Sequence, residues 1–142
     1  KTIYTKGQTT ASLKLTTTLT DKVTWTSSNK KVATVNSKGV VTAKAKGTAV
    51  ITATCGEYKA TCKVTVKNPS LKLTKTSASV KVGKTTKITA KVTPSGKITY
   101  KSSNSKIATV SSKGVVKGKK KGTAKITVTC NGVKKVFTVT VK

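Results

Sequence analysis

The sequence predicts an all-β protein that consists of two tandem β-sandwich domains of about seven strands each. Three observations support this prediction: an internal repeat, an alternation of apolar and polar residues, and turn signals at short intervals. Trp25 matches Tyr100 and Cys55 matches Cys130, and each pair is 75 residues apart. A period of this length is too long for one solenoid repeat and suits two small complete domains.

The domain boundary is predicted at Asn68-Pro69, a turn signal between two strand-like segments. The predicted domains are residues 1–67 and 70–142. The second copy opens with SLKLTKTSASVKV, whereas only KTIYTK precedes the first glycine of the chain. We therefore expect the first domain to lack its opening strand. Because the chain begins at Lys1 rather than Met, we also expect it to be a piece of a longer polypeptide.

Alternation predicts the longest strands of each copy. Apolar or small residues occupy every second position of residues 49–55 (Ala, Ile, Ala, Cys) and of residues 124–130 (Ala, Ile, Val, Cys). Residues 62–66 and 137–141 repeat the pattern and supply a second strand to each copy. This period of two is typical of strands with one buried face. The frequent Thr between the apolar positions suits the solvent face of a pleated sheet.

Turn signals separate these strands. NSKG at 36–39 and SSKG at 111–114 place Gly where a hairpin needs positive φ, and Asn131-Gly132 is a strong two-residue hairpin signal. No segment shows the apolar stripe of a helix, so we expect very little helix.

Several short motifs occur in both copies. The first copy contains W-x-S-S-N, V-A-T-V, G-V-V-T-A, G-T-A-x-I-T-A and C-x-V-T-V, and the second contains Y-x-S-S-N, I-A-T-V, G-V-V-K-G, G-T-A-x-I-T-V and F-x-V-T-V. These motifs resemble the bacterial immunoglobulin-like domain of group 2, also called the intimin/invasin-type bacterial Ig-like domain. The resemblance covers nearly the whole chain and implies an Ig-like sandwich for each copy. Such domains recur in arrays on bacterial surface adhesins and beside catalytic modules of secreted enzymes, often as spacers.

The composition argues against an enzyme. General acid-base catalysis needs groups such as His, Asp or Glu close together. The chain has no His, and its only acids are Asp21 and Glu57, both in the first copy. Three Cys without His form no convincing metal site, and two acids are too few for a carboxylate calcium site. We expect no catalytic residue, no metal and no cofactor.

The cysteines leave two alternatives open. If the hairpin turn centres on Gly56-Glu57, Cys55 and Cys62 lie too far apart for a disulfide, and all three thiols are free. A turn centred on Tyr58-Lys59 would bring Cys55 opposite Cys62 and allow a bridge.

Four side chains are predicted to form the structural core. Trp25 and Tyr100 occupy equivalent strand positions, and a core aromatic is favoured over a sugar-stacking platform. Ile51 and Ile126 lie on the apolar faces of the longest strands.

The charge is strongly positive and consists entirely of Lys. The first 67 residues carry 12 Lys and both acids, and the rest carry 18 Lys and no acid, so the net charge of +28 divides into +10 and +18. Such a field attracts polyanions, although Lys also keeps a surface soluble and protects sheet edges. The candidate polyanion-binding residues are Lys117, Lys119, Lys120, Lys121 and Lys125. Without Arg and with few aromatics, sequence-specific nucleic-acid binding is not expected.

We therefore predict a non-catalytic spacer and adhesion module of a secreted or cell-surface, wall-associated bacterial protein, flanked by further domains. The alternative is an electrostatic binding module for anionic polysaccharides, wall polymers such as teichoic acid, or host surface glycans. A remote alternative is an accessory region of a secreted glycoside hydrolase. No apolar run approaches the roughly 20 residues that span a bilayer, so membrane insertion is not expected.

Overall fold

The computed structural model describes residues 1–142 and contains sixteen strands and no helix. The chain forms two compact units, Lys1–Asn68 and Pro69–Lys142, which we call the first and the second domain. The all-β class predicted from alternation and turn spacing is confirmed.

The first domain is a sandwich of two sheets. Its strands are β1 (Thr2–Tyr4), β2 (Thr10–Ser12), β3 (Thr24–Ser27), β4 (Ala33–Val35), β5 (Val40–Ala43), β6 (Gly47–Cys55) and β7 (Tyr58–Lys67). One sheet has the order β1-β7-β6-β3 and the other β2-β5-β4. Strand β1 runs parallel to β7, and all other neighbours are antiparallel.

The second domain repeats this plan and adds two strands. Its strands are β8 (Ser70–Leu73), β9 (Ser77–Val80), β10 (Thr85–Lys87), β11 (Ala90–Thr93), β12 (Thr99–Ser102), β13 (Ala108–Val110), β14 (Val115–Gly118), β15 (Gly122–Cys130) and β16 (Val133–Val141). The sheet orders are β12-β15-β16-β9 and β10-β14-β13, and β11 pairs with β8 in a separate two-stranded sheet. The strands β8 and β11 are those with no counterpart in the first domain.

The 75-residue equivalence extends back to Thr10 and Thr85. Thr10 pairs with Thr42, and Thr85 pairs with the equivalent Lys117. Likewise, the Leu13 and Ile88 amides donate to the carbonyls of the equivalent glycines at 2.9 Å. Residues 13–20 of the first domain therefore correspond to residues 88–95 of the second.

The hairpin turns follow the predicted chemistry. Cys130 pairs with Val133, so the turn is Asn131-Gly132, and both of these residues have positive φ (50° and 78°). Gly39 and Gly114 also have positive φ (73° and 75°). The turn predictions at these positions are confirmed.

The repeated S-S-N motif stabilises the sandwich edge in both copies. Ser27 Oγ donates to the Ala33 carbonyl at 2.7 Å, and Ser102 Oγ donates to the Ala108 carbonyl at 2.7 Å. The next serine in each copy accepts from a strand amide, Val50 N in one and Lys125 N in the other, both at 2.9 Å. The motif that occurs twice is therefore a set of backbone ties between elements.

Candidate functional site

The five predicted polyanion-binding lysines do not form one surface. Lys117 follows the buried Val116 on β14 and points outward from its sheet. Lys125 lies between two buried residues of β15 and points outward from the opposite sheet. Lys119, Lys120 and Lys121 are exposed in the loop between β14 and β15. Only these three lie together.

Backbone hydrogen bonds collect further lysines around that loop. The Gly118 amide donates to the Lys84 carbonyl at 3.0 Å, and the Lys119 amide donates to the Ile107 carbonyl at 2.8 Å. The Lys142 amide donates to the Val80 carbonyl at 2.9 Å, next to Lys81. We call the exposed set at this end of the second domain the lysine end: Lys81, Lys84, Lys106, Lys119, Lys120, Lys121 and Lys142.

Sequence reasoning missed four members of the lysine end because they lie on separate loops. These lysines share a position at the ends of strands that are adjacent in the fold. That position can be recognised only once the order of the strands in each sheet is known. At the equivalent positions the first domain has only four lysines, and Ala45 stands where the second domain has Lys120. The lysine end is therefore the larger concentration of charge.

The two acids of the chain come near the same turn without forming a recognisable site. An ideal Cβ on Gly56 would lie 2.9 Å from Asp21 Oδ2, and Glu57 is the next residue. The Cys55 thiol donates to the Asp21 carbonyl at 3.3 Å. No three His, Cys, Asp or Glu side chains come together anywhere in the chain.

The alternative in which Cys55 and Cys62 form a disulfide is corrected by the register of β6 and β7. Cys55 pairs with Tyr58, and Cys62 pairs with Ile51, so the turn centres on Gly56-Glu57. All three cysteines are free thiols, with Cys55 and Cys130 buried and Cys62 half-buried.

The predicted core side chains occupy two environments. Ile51 and Ile126 are almost completely buried. Trp25 and Tyr100 are half-buried and pack against the cores from their edges. Tyr100 lies directly over Gly114, where a Cβ would approach its ring to 2.8 Å, and burial raises the pKa of its hydroxyl above 10.0.

The first domain carries an open apolar groove that sequence reasoning did not identify as a site. It lies between residues 15–19 and the hairpin of β6 and β7, with a volume of about 490 Å³. A second cavity of about 220 Å³ shares Leu15, Ala53 and Ala60 with it and reaches Trp25. We call the two together the first-domain groove.

The family model for the bacterial Ig-like domain (group 2) matches residues 1–66 and 67–141. The chain belongs to this family. The predicted resemblance and the two tandem copies are thus confirmed. These bacterial Ig-like domains contain no helix of the length and hydropathy needed to cross a membrane.

Solved structures to which this chain is similar include the S-layer protein SbsC, at 29% identity over 85% of this chain and 20% of that chain, with a TM-score of 0.46. A fragment of SbsC with domains 4 and 5 matches at 28% identity over 84% of this chain and 70% of that chain, with a TM-score of 0.44. A fragment of intimin, in complex with the intimin-binding domain of the translocated intimin receptor, matches at 20% identity over 86% of this chain and 52% of that chain, with a TM-score of 0.49.

The tandem bacterial Ig-like domains span about a fifth of the length of the SbsC chain first named above. No curated protein sequence gives a significant match. The family assignment therefore rests on the two matches to the family model.

Proposed function

We propose that the chain is a non-catalytic, tension-transmitting spacer and adhesion module of a secreted or cell-surface bacterial protein. The observation that carries this proposal is the parallel pairing of an early strand with the last strand in each domain. Strand β1 pairs with β7, and β9 pairs with β16. In the first domain the polypeptide thus enters and leaves the sandwich along neighbouring strands, and in the second domain the strand that follows β8 holds the same position beside the last strand.

The parallel pairing determines which hydrogen bonds resist when the two ends of the domain are pulled apart. When the start of β1 and the end of β7 are pulled apart, the two strands slide along each other. The hydrogen bonds that join them, such as Thr65 N to Lys1 O at 2.8 Å and Thr5 N to Lys67 O at 3.0 Å, are then loaded together. Bonds that must break together resist a larger force than bonds that open one at a time. This arrangement suits a module that transmits tension.

Single-molecule pulling in two geometries tests this function. Handles at residues 1 and 67 shear β1 against β7. Handles at residues 46 and 67 open the β6–β7 hairpin from its free end, where Gly47 pairs with Val66. We expect a several-fold higher unfolding force in the first geometry. Pulling the whole chain by its ends should give two events, each releasing up to about 230–250 Å of chain, from about 70 residues at about 3.3–3.6 Å per residue.

The second geometry is the matched control, because the same domain unfolds in both experiments. Equal unfolding forces in the two geometries would contradict a role in transmitting tension. A single event on end-to-end pulling would contradict two separately unfolding spacers.

The lysine end favours a second candidate function, binding to anionic polymers such as wall teichoic acid or acidic glycans. Its seven lysines are exposed, and the second domain contains no acid to neutralise them. Lys presents a point charge without the planar fork of Arg, which suits phosphate or sulfate groups along a flexible polymer better than a fixed bidentate site.

Retention on immobilised teichoic acid over a series of salt concentrations tests this second function. Multi-lysine contacts release counterions, so retention should fall steeply as salt rises. Absence of retention at low salt would remove the binding function and leave the spacer function standing.

A further inference from the structure

The turn between β15 and β16 contains the only Asn-Gly pair of the chain, Asn131-Gly132. An asparagine followed by glycine is especially prone to deamidation, because glycine has no Cβ to hinder the approach of its backbone nitrogen to the asparagine carboxamide. The other asparagines of the chain are followed by Lys, Ser or Pro. The sequence therefore favours spontaneous loss of ammonia at one position of the second domain.

The folded second domain holds the Asn131 carboxamide in place. Its Nδ2 donates a hydrogen bond to the Pro94 carbonyl at 2.8 Å. The main chain at Gly96 lies against it as well, since a Cβ built there would come 2.6 Å from Asn131 Oδ1 and 3.1 Å from Cγ. Deamidation requires the carboxamide to turn toward the Gly132 nitrogen, and the contacts with Pro94 and Gly96 resist that movement.

The first domain has no labile pair at the equivalent turn. Gly56 occupies the position of Asn131. Asp21 occupies the position of Gly96, and its Oδ2 lies 2.9 Å from where a Cβ of Gly56 would be. The contact in the first domain already contains a carboxylate, so the fold tolerates a negative charge there.

We propose that Asn131 is a deamidation site that is closed in the folded second domain and becomes reactive when the turn between β15 and β16 opens. The Gly132 nitrogen attacks Cγ of Asn131 and forms a C–N bond. The Gly132 amide proton passes to the departing NH2 group, which leaves as ammonia. Water then opens the succinimide ring at either carbonyl, adding OH to the carbon and a proton to the nitrogen, and the product is aspartate or isoaspartate.

Either product weakens the turn. The aspartate carboxylate has no N–H to donate, so it faces the Pro94 carbonyl oxygen without a hydrogen bond. In isoaspartate the main chain runs through the former side chain and is one carbon longer, which a two-residue hairpin does not accommodate. The same turn sets the register of β15 and β16. Deamidation therefore converts a transient opening of the hairpin into a lasting change, and it adds a negative charge to a domain without Asp or Glu.

Incubation of the full chain at neutral pH, with and without unfolding concentrations of guanidinium chloride, tests the proposal. After brief digestion with trypsin, mass spectrometry follows the replacement of NH2 by OH in the peptide of residues 126–134. We expect Asn131 to react at least about tenfold faster in the unfolded chain than in the folded chain. In the unfolded chain it should also react faster than Asn36 and Asn104. Equal rates in the two states would overturn closure by the fold, and faster reaction at Asn36 or Asn104 would overturn Asn131 as the favoured site.

Gly96→Ala tests the contact itself. Its Cβ displaces the Asn131 carboxamide from its position, so we expect several-fold faster deamidation in the folded chain without denaturant. Ser95→Ala is the matched control, because it changes an exposed residue of the same loop and should keep the rate of the parent. Equal rates in the two variants would show that this contact does not protect Asn131. If Gly96→Ala does not fold, the parent with and without denaturant still decides whether the fold closes the site.

Asn131→Asp reproduces one product and tests its effect on the turn. Cys130 pairs with Val133 at the end of the hairpin. Amide hydrogen exchange of Val133 should be several-fold faster in Asn131→Asp than in the parent, while the domain remains folded. Unchanged exchange of Val133 would contradict the weakening of the turn.

Discussion

At the residue scale, the two domains differ at a contact between two equivalent positions. In each domain one of the two positions is glycine and the other has a side chain, and the two are interchanged between the domains. Asp21 lies against Gly56, whereas the equivalent pair in the second domain is Gly96 against Asn131. A Cβ on Gly96 would come within 2.6 Å of Asn131 Oδ1, so each pair has room for one side chain only. A side chain at one member of this pair therefore requires glycine at the other, and the sequence alone does not show that the two positions are in contact.

The aromatic-over-glycine contact predicts different costs for two alanine substitutions. Gly114→Ala places a Cβ 2.8 Å from the Tyr100 ring at φ 75°, whereas Gly83→Ala at φ 81° meets nothing within 4 Å. Gly83→Ala should cost about 1–2 kcal/mol from the left-handed conformation alone. Gly114→Ala should cost about 1–3 kcal/mol more through overpacking. Urea unfolding of the full chain measures both, and equal costs would show that the ring does not restrict position 114.

Tyr100 also predicts a pH dependence. Its pKa is raised by burial, so the folded state binds the hydroxyl proton more tightly than the unfolded state. The associated stability is present below the unfolded pKa of about 10 and is lost as pH rises through the folded pKa. Between about pH 9 and about pH 12, the second domain of Tyr100→Phe should lose less thermal stability than the parent. The two chains differ only in this hydroxyl, so identical pH profiles would count against a buried hydroxyl.

At the scale of elements, alternation predicts the strands that pair within the repeat but not those that depend on a distant partner. Strands β6 and β15 follow the period-two pattern along most of their length, and β7 and β16 follow it in their second halves. Residues 15–18 (LTTT) have residue types suited to a strand, yet they form none, while residues 90–93 (AKVT) do. Strand β11 is a strand because β8 supplies its hydrogen bonds, and pairing of this kind is not written in local sequence.

Because β11 depends on β8 for its pairing, shortening a buried side chain of β8 should affect both strands. Leu71→Ala removes a side chain that is 2% exposed, and it should destabilise the second domain by about 2–5 kcal/mol. It should also speed amide exchange in β11. Val136→Ala is the matched control, because Val136 is 48% exposed in the same domain and should change stability by less than about 0.5 kcal/mol. Unchanged exchange in β11 after Leu71→Ala would show that β8 does not maintain that strand.

At the scale of the whole molecule, composition predicts the sign of the charge but not its distribution. The excess of Lys in the second copy is visible in the sequence, and so is the run at 119–121. The separation of Lys117 from Lys125 by the thickness of the sandwich is not, because alternation shows that both point outward without showing from which sheet. The gathering of Lys81, Lys84 and Lys142 depends in the same way on sheet order.

If the lysine end is the binding surface, retention on an anionic polymer should depend on where lysines are removed and not only on the net charge. Changing Lys84, Lys119 and Lys120 to Gln removes three charges from that end. Changing Lys97, Lys113 and Lys134 to Gln removes three charges near the opposite end of β15, roughly 25 Å away at about 3.3 Å per residue. Both variants have the same net charge.

On immobilised teichoic acid, the first variant should elute at clearly lower salt and show a shallower dependence of retention on salt, because fewer counterions are released on binding. The second should elute close to the parent. Equal losses would mean that the polymer responds only to the overall field of the chain, and would remove the lysine end as a binding surface.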